Sequence, residues 1–404
     1  MIMTTIQAKF NLPYTYQVVF TRDAFNPENR VISTVLGTAG KANRVLVVID
    51  SNVVATNPAL LSRIEAYAEQ NSQLLDIAGA PFIMTGGERC KQGPEEVEKI
   101  HALVNAYHLC RHSFVMVVGG GAVLDAAGYA VATAHRGLRL LRLPTTTLAQ
   151  NDAGIGVKNA INKFGRKNFC GTFAPPYAVI NDFDLLDTLS ARDLRAGIAE
   201  AVKVALIKDR SFFNQLYDHR ITLGKFEPSI MESMIIKCAQ LHLDHIQNSG
   251  DPFENGSSRP LDFGHWAAHK IEDLAQDDIR HGEAVAIGIA LDALYAYHKN
   301  MITEIERHKI LSLLEQIGFT LFHPVLKKMD MAASLKEFQE HLGGRLTIPL
   351  IKGIGNLVQV HEIDTRLLDQ CVAELSEKYK PKGKSDEKRT QPNAGNESAG
   401  NVLS

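Results

Sequence analysis

The residues best placed to do chemistry in this chain are three histidines and a glutamate. The run Asp262-Phe263-Gly264-His265-Trp266-Ala267-Ala268-His269 is followed by His281-Gly282-Glu283. Imidazole is a good ligand for zinc and related metals. Four residues is about one helical turn, so His265 and His269 should share one helix face. His281 stands beyond the polar stretch Gln276-Asp277-Asp278, which reads as a turn into the next helix. Upstream, Gly197-Ile198-Ala199-Glu200-Ala201-Val202-Lys203 sets a carboxylate and an ammonium three apart on another helix, in an otherwise apolar setting. A carboxylate and two imidazoles from separate helices would make a three-ligand metal site with open positions for substrate, as catalytic sites require. The bland alternative is that a histidine on an amphipathic helix is surface or satisfied. Two at i, i+4, with a third and an embedded glutamate, favour the ligand reading. A second group, His242, Asp244 and His245, reads as mostly helix surface.

These helices need a scaffold, and the chain changes character near its middle. The first half alternates β-branched runs with helical stretches. Arg44 to Asp50 reads as a buried strand, with Ser51-Asn52 as caps for the segment after it. Pro94-Glu95-Glu96 opens a helix with Val97, Ile100, Leu103, Val104 and Tyr107 at helical spacing. Phe114 to Val118 is a strand running into Gly119-Gly120-Gly121 and a helix from Ala122 to Ala134; Leu138 to Leu143 and Ala178 to Asn181 are two more strands. Strands alternating with helices predict a mostly parallel sheet with crossover helices. After about residue 187, helical periodicity runs through Leu194–Ile207, Pro228–Gln247, Trp266–Leu274, Gly282–Lys299 and Ile302–Gln316. The domains read as 1–187 (α/β), 188–379 (helical) and 380–404, a tail poor in apolar residues and expected to be disordered.

Two segments of the first half bear on ligands. Strand, Gly119-Gly120-Gly121, helix is a phosphate-binding arrangement, because glycines let a pyrophosphate approach a helix N-terminus. It is not the GxGxxG fingerprint, so on spacing alone a dinucleotide site and a tight structural turn stand level. Gln150 to Asn168 mixes lysines, carboxamides and glycines after a Pro-Thr-Thr-Thr turn. Most such stretches are solvated loops, but this one lies before the change of domain, where ligands collect.

Composition excludes little and suggests a compartment. Acidic and basic residues nearly balance, 45 against 43, so no bulk charge argues for nucleic acid or a membrane surface. Five cysteines without CxxC pairs suit a reducing compartment, and no apolar run reaches membrane-spanning length. The expectation is a soluble cytoplasmic protein.

From about Arg44 to about Val360 the chain resembles the sugar phosphate cyclases, the superfamily of 3-dehydroquinate synthase. The resemblance is carried by Gly119-Gly120-Gly121 with Asp125, Arg136-Gly137, Leu143-Pro144-Thr145-Thr146, Asp152 through Lys158 and Lys167-Asn168. Ala199-Glu200 with Lys203, Phe263-Gly264-His265 and His281-Gly282-Glu283-Ala284-Val285 complete it. It implies a Rossmann-like nucleotide-binding α/β domain followed by an all-α metal-binding domain, and a homodimer. It implies Glu200, His265 and His281 as ligands of a divalent metal, zinc or else cobalt, with His269 near the phosphate. Asp152, Lys203 and Asn168 would face substrate hydroxyls, and Lys158 and Arg136 the leaving phosphate. NAD would lie along Gly119 to Gly121 with Asp50, Glu88, Lys91, Asp125, Thr145 and Thr146, and Lys167 near the nicotinamide. The implied reaction is transient oxidation by NAD, loss of phosphate, return of the hydride, ring opening and aldol closure to a carbocycle, with no net oxidation.

Within the superfamily the wording points to a branch. Dehydroquinate synthases typically read Asp-Ser-Ser-Val-Gly-Gly-Lys where this chain has Asp152-Ala153-Gly154-Ile155-Gly156-Val157-Lys158. They carry Asn where Asp262 stands and a carboxylate-binding Arg where Ser258 stands, with Arg259 here one place off. Asp262 would oppose an anionic substrate end. The Arg259-Pro260-Leu261-Asp262 wording, Phe173-Ala174-Pro175-Pro176 and Phe25-Asn26-Pro27-Glu28-Asn29 are more similar to sedoheptulose 7-phosphate cyclases. His269, where valiolone synthases usually have Pro, instead matches dehydroquinate synthase. The expected substrate is a phosphorylated C7 sugar; the alternatives are dehydroquinate synthase proper and, further off, a metal-dependent alcohol or glycerol dehydrogenase.

Overall fold

The computed structural model describes residues 5–9, 12–37, 40–253 and 259–379. Ser258 and the tail from residue 380 lie outside the described residues. The strands are β1 (Gln17–Thr21), β2 (Asn43–Asp50), β3 (Leu75–Ile77), β4 (Phe82–Met84), β5 (Phe114–Gly119), β6 (Arg139–Pro144), β7 (Lys158–Lys163), β8 (Arg166–Phe173), β9 (Ala178–Asp182), β10 (Ile348–Ile351) and β11 (Leu357–Val360). The helices of the first half are α1 (Val31–Leu36), α2 (Ser51–Thr56), α3 (Ala59–Gln70), α4 (Glu95–Ala106) and α5 (Gly121–Thr133). Those of the second half are α6 (Ala191–Lys208), α7 (Arg210–Asp218), α8 (Arg220–Gly224), α9 (Pro228–Asn248), α10 (His265–Ala275), α11 (His281–His298), α12 (Glu304–Ile317), α13 (Met331–His341) and α14 (Thr365–Lys378).

A parallel sheet in the order β1-β9-β6-β5-β2-β3, with β4 also on β2, forms the first half. Its central strands are apolar on both faces because helices cover both. In β2, Val45, Val47 and Ile49 enter one core cluster while Leu46 and Val48 enter the other. The same alternation divides β5. All the polar strand ends that matter, Asp50, Gly119 and Pro144, therefore fall at one edge of the sheet.

Three features differ from the sequence reading. Gln150 to Asn168 is more than a solvated loop: a π-helical turn (Ala149–Ala153) leads into the antiparallel hairpin β7–β8. Asp50, rather than Ser51 or Asn52, caps α2, its carboxylate accepting from the Asn52 amide at 2.8 Å. The helical half also contains a small antiparallel hairpin, β10–β11. Helix α11 explains why that half coheres: it is buried almost all round from Gly282 to Ala296, and α6, α10, α12 and α14 pack against it.

Candidate functional site

Helices α6, α10 and α11 meet where glycines let backbones touch. Gly264 precedes α10 with φ +77°, and a side chain there would lie 2.7 Å from the Ile289 amide of α11. At Gly282, the first turn of α11, a Cβ would lie 2.1 Å from the Ala196 carbonyl of α6. Glu283 fixes the same end: it accepts two bonds from Arg192 of α6, at 2.7 and 2.6 Å, and one from the Arg280 amide at 2.9 Å. That glutamate is thus a helix cap and a strut between helices, not part of the histidine cluster. Asp292, 1% exposed, completes the frame by accepting from the Gly264 amide at 2.8 Å and the Trp266 indole at 2.9 Å. Burial pushes the Asp292 carboxyl up to about 7.

This frame brings Glu200, His265 and His281 together, each offering one ligand atom within 4.8 Å of the others. The Nε2 atoms of His265 and His281 stand 3.4 and 3.3 Å from the same oxygen of Glu200. The Nδ1 of His265 faces the Phe263 carbonyl at 3.2 Å, and that of His281 faces Glu272 at 3.0 Å. With each Nδ1 engaged in this way, both rings turn Nε2 toward the carboxylate, where the two lone pairs would meet a bound cation. Glu200 is 2% exposed on its side chain, and Lys203 pairs with one of its buried oxygens while the two imidazoles face the other. A carboxylate oxygen turned to two imidazole nitrogens is a donor set that suits zinc or cobalt. Burial would raise the Glu200 carboxyl, but Lys203 and His265 overcome it and hold it well below the usual range. His269 lies beside the pair, its ring 5.5 Å from that of His265, on the exposed side.

Lys203, 4% exposed, also pairs with Asp152 at 3.3 Å. Asp152 is aimed by its neighbours in the π-helical turn: Gln150 bonds the Pro144 and Asp182 carbonyls, and Asn151 bonds the Gly197 carbonyl at 2.7 Å. The turn thus joins the end of the sheet to α6. Burial would lower the Lys203 ammonium; Glu200 and Asp152 reverse this and raise it. Asp262 lies close enough to His265, Lys158, His269 and Lys203 that, against burial, its carboxyl is held below its ordinary value.

At the sheet edge Gly119 ends β5, Gly120 caps α5 and Gly121 begins it. A Cβ on Gly120 would lie 3.2 Å from Thr146, and the Thr145 amide bonds the Gly119 carbonyl at 3.0 Å. The backbone here is open to a phosphate on the N-terminus of a thirteen-residue helix. Glu88 and Lys91 stand on a 3-10 turn beside it. Lys91, 4% exposed, pairs with Asp125 at 2.8 Å and donates to Asn168 at 2.5 Å, so the hairpin is tied to this corner. Lys167, next to Asn168, reaches Glu272 of α10 at 3.3 Å.

One expected residue is not brought here. Arg136 is exposed on the turn after α5, and that helix, at about 1.5 Å per residue, carries the chain roughly 20 Å from Gly121 to the opposite edge of the sheet. A crossover helix returns to the start of the next parallel strand, so Arg136 is removed from the strand ends within this chain. Other residues escaped the sequence reading. His242 is no surface residue: its side chain is 12% exposed and its Nδ1 lies 3.5 Å from Asp152. It falls at helical spacing from buried Ile235, Cys238 and Ala239, which was the available signal. Asp244 and His245 are half-buried and bonded to Gln240 and Lys208. Arg142, fully buried, holds the 154–159 segment through the carbonyls of Gly154, Gly156 and Lys158 and the Asn159 side chain. Nothing in a strand sequence announces that.

Comparison with known proteins fits this geometry. Residues 81–196 match the 3-dehydroquinate synthase N-terminal family model and residues 197–340 the C-terminal one. The chain is 30% identical over 375 residues to 2-epi-5-epi-valiolone synthase of Streptomyces hygroscopicus subsp. jinggangensis, covering 90% of this chain and 88% of that protein. It is 32% identical over 334 residues to 3-dehydroquinate synthase of Acidithiobacillus ferrooxidans, covering 82% and 89%. The solved structure of the Streptomyces enzyme with NAD+ and Zn2+ bound superposes with a TM-score of 0.82 at 28% identity, over 92% of this chain and 99% of that one.

Proposed function

This chain belongs to the 3-dehydroquinate synthase family of the sugar phosphate cyclase superfamily, and from that premise we propose that it is an NAD- and metal-dependent cyclase acting on a heptulose phosphate such as sedoheptulose 7-phosphate. The observation that carries the proposal is the buried Glu200 carboxylate, one oxygen of which is faced by two imidazole Nε2 atoms, with Lys203 and Asp152 alongside.

Glu200, His265 and His281 would hold the metal, and the Gly119–Gly121 corner with Asp50, Glu88, Lys91, Asp125, Thr145 and Thr146 would hold NAD. Bound there, the metal would polarise adjacent hydroxyls and NAD would accept and return a hydride, leaving no net oxidation. The chain's own groups orient the substrate. Lys203, kept charged between two carboxylates, is positioned to donate to a hydroxyl, and Asp152 to accept from one. Lys158 offers an ammonium to the leaving phosphate, with His269 at the exposed side of the cluster. Lys167 and Asn168, held by Glu272 and Lys91, close the nucleotide side.

Asp262 favours an uncharged sugar end over a carboxylated one, since like charges at close range repel. The deciding assay supplies NAD and zinc or cobalt, offers sedoheptulose 7-phosphate and the carboxylated heptulosonate phosphate separately, and follows inorganic phosphate and the carbocycle by mass. Phosphate release from the C7 sugar phosphate alone is expected. Release only from the carboxylated sugar would make this a dehydroquinate synthase, and steady NADH accumulation with an alcohol would make it a dehydrogenase. We also propose a cytoplasmic homodimer, in keeping with five unpaired cysteines; light scattering tests the assembly.

A further inference from the structure

We propose that Glu272 is a positioning residue with two duties: it presents His281 to the metal and it ties the β7–β8 hairpin to the metal site. The inference rests on the metal-site reading above and adds a residue to it. Glu272 lies on α10 seven residues after His265 and three after His269, so one helix face carries all three. Its side chain is 12% exposed, and each oxygen has its own partner. One faces His281 Nδ1 at 3.0 Å; the other faces Lys167 Nζ at 3.3 Å.

The consequence for His281 is chemical. A carboxylate at Nδ1 keeps a ring proton there, so that Nε2, 3.3 Å from Glu200, is the nitrogen that would give its lone pair to a cation. His265 gets the same orientation from the carbonyl of Phe263, a backbone atom two residues back that no side-chain substitution removes. His281 depends instead on a side chain from another helix. That same side chain engages the hairpin of the sheet half, whose tip residues Lys163 to Lys167 are exposed. Through one carboxylate, the metal ligand and the hairpin lysine are therefore linked.

The test uses the full-length protein, its E272A and E272Q variants, and three readouts other than turnover. Zinc affinity is measured by competition with a chromogenic chelator, ligand geometry by the visible spectrum of the cobalt form, and hairpin order by trypsin cleavage at Lys163, Arg166 and Lys167. E272A should weaken zinc binding about 10- to 100-fold and shift the cobalt spectrum. E272Q keeps an oxygen that accepts from Nδ1–H but has no charge for Lys167. It should recover most of the zinc affinity while its hairpin is cut as fast as in E272A and faster than in the wild type. Wild-type zinc affinity and cobalt spectrum in E272A overturn the proposal. Equal cleavage in all three proteins overturns the hairpin link. A wild-type protein that binds neither zinc nor cobalt sinks the metal reading itself, which is a separate result.

Discussion

Lys91 and Lys203 are buried alike, each with a side chain 4% exposed, yet the two halves of the molecule surround them differently. In the sheet half, Lys91 is in contact with one carboxylate, Asp125 at 2.8 Å, with Glu88 acting on it through space, and with one amide oxygen, Asn168 at 2.5 Å. Charge and hydrogen bonds there close locally. In the helical half, Lys203 has two carboxylates, Glu200 and Asp152, and Glu200 turns its other oxygen to two imidazole nitrogens. Holding a buried ammonium needs one carboxylate, so the second is surplus. Surplus negative charge beside two directed lone pairs is what a divalent cation balances. A balanced buried pair calls for no further cation; a buried pair with negative charge left over does.

The comparison can be broken at its strong side first. Glu200→Ala should abolish zinc retention and reduce phosphate release to background. It should also lower the unfolding free energy measured with zinc present, because the stabilisation by the bound metal is lost. Metal analysis and urea denaturation read both, and an Ala variant that keeps its zinc would end the ligand assignment.

In the sheet half the matching lesion is added bulk, since its site is made of backbone. Gly120→Val should weaken NAD binding at least about tenfold by crowding Thr146, with zinc affinity unchanged in calorimetry. Equal losses of both ligands would show that the two halves do not act separately.

Asp292 gives a pH-dependent test. Burial raises its folded value to about 7, above the ordinary carboxylate value, so the folded state binds the proton more tightly. The stability this provides is complete below the unfolded carboxylate range and is lost as pH rises through about 7. Trp266, the single tryptophan, is bonded to Asp292 and should report it: its fluorescence should titrate near pH 7 in the wild type and lose that step in Asp292→Asn. The variant should cost about 1–2 kcal/mol, one donor being left without its acceptor. A flat wild-type profile would refute the assignment.

The smallest expected effect is on specificity. Asp262→Asn should improve acceptance of the carboxylated heptulosonate relative to the C7 sugar phosphate, read as the ratio of kcat/KM values. No change would remove the electrostatic case for the uncharged substrate.

Legibility in the sequence followed the range of the interaction. The i, i+4 pair His265 and His269, the Glu200–Lys203 spacing and the glycines after β5 are local patterns, and each stands where its spacing put it. The two-faced burial of β2 and β5 was equally legible, because an apolar run bounded by caps has few other uses. The β7–β8 hairpin was not, since its strands carry lysines and asparagines that conceal the alternation. His242 was misread because three polar residues at 242, 244 and 245 look alike in a list, while only one of them faces Asp152.

By itself, then, the sequence determined which side chains could ligate, the parallel order of strand and helix, and the family that their wording resembles. Local periodicity and residue chemistry suffice for that. Only the tertiary structure decided that three helices set their donors on one point, that Glu272 joins His281 to Lys167, and that Arg136 ends at the far edge of the sheet. Those outcomes depend on how helices cross and where a crossover returns. Backbone contacts between residues far apart in the chain set them, and no spacing along the chain encodes such contacts.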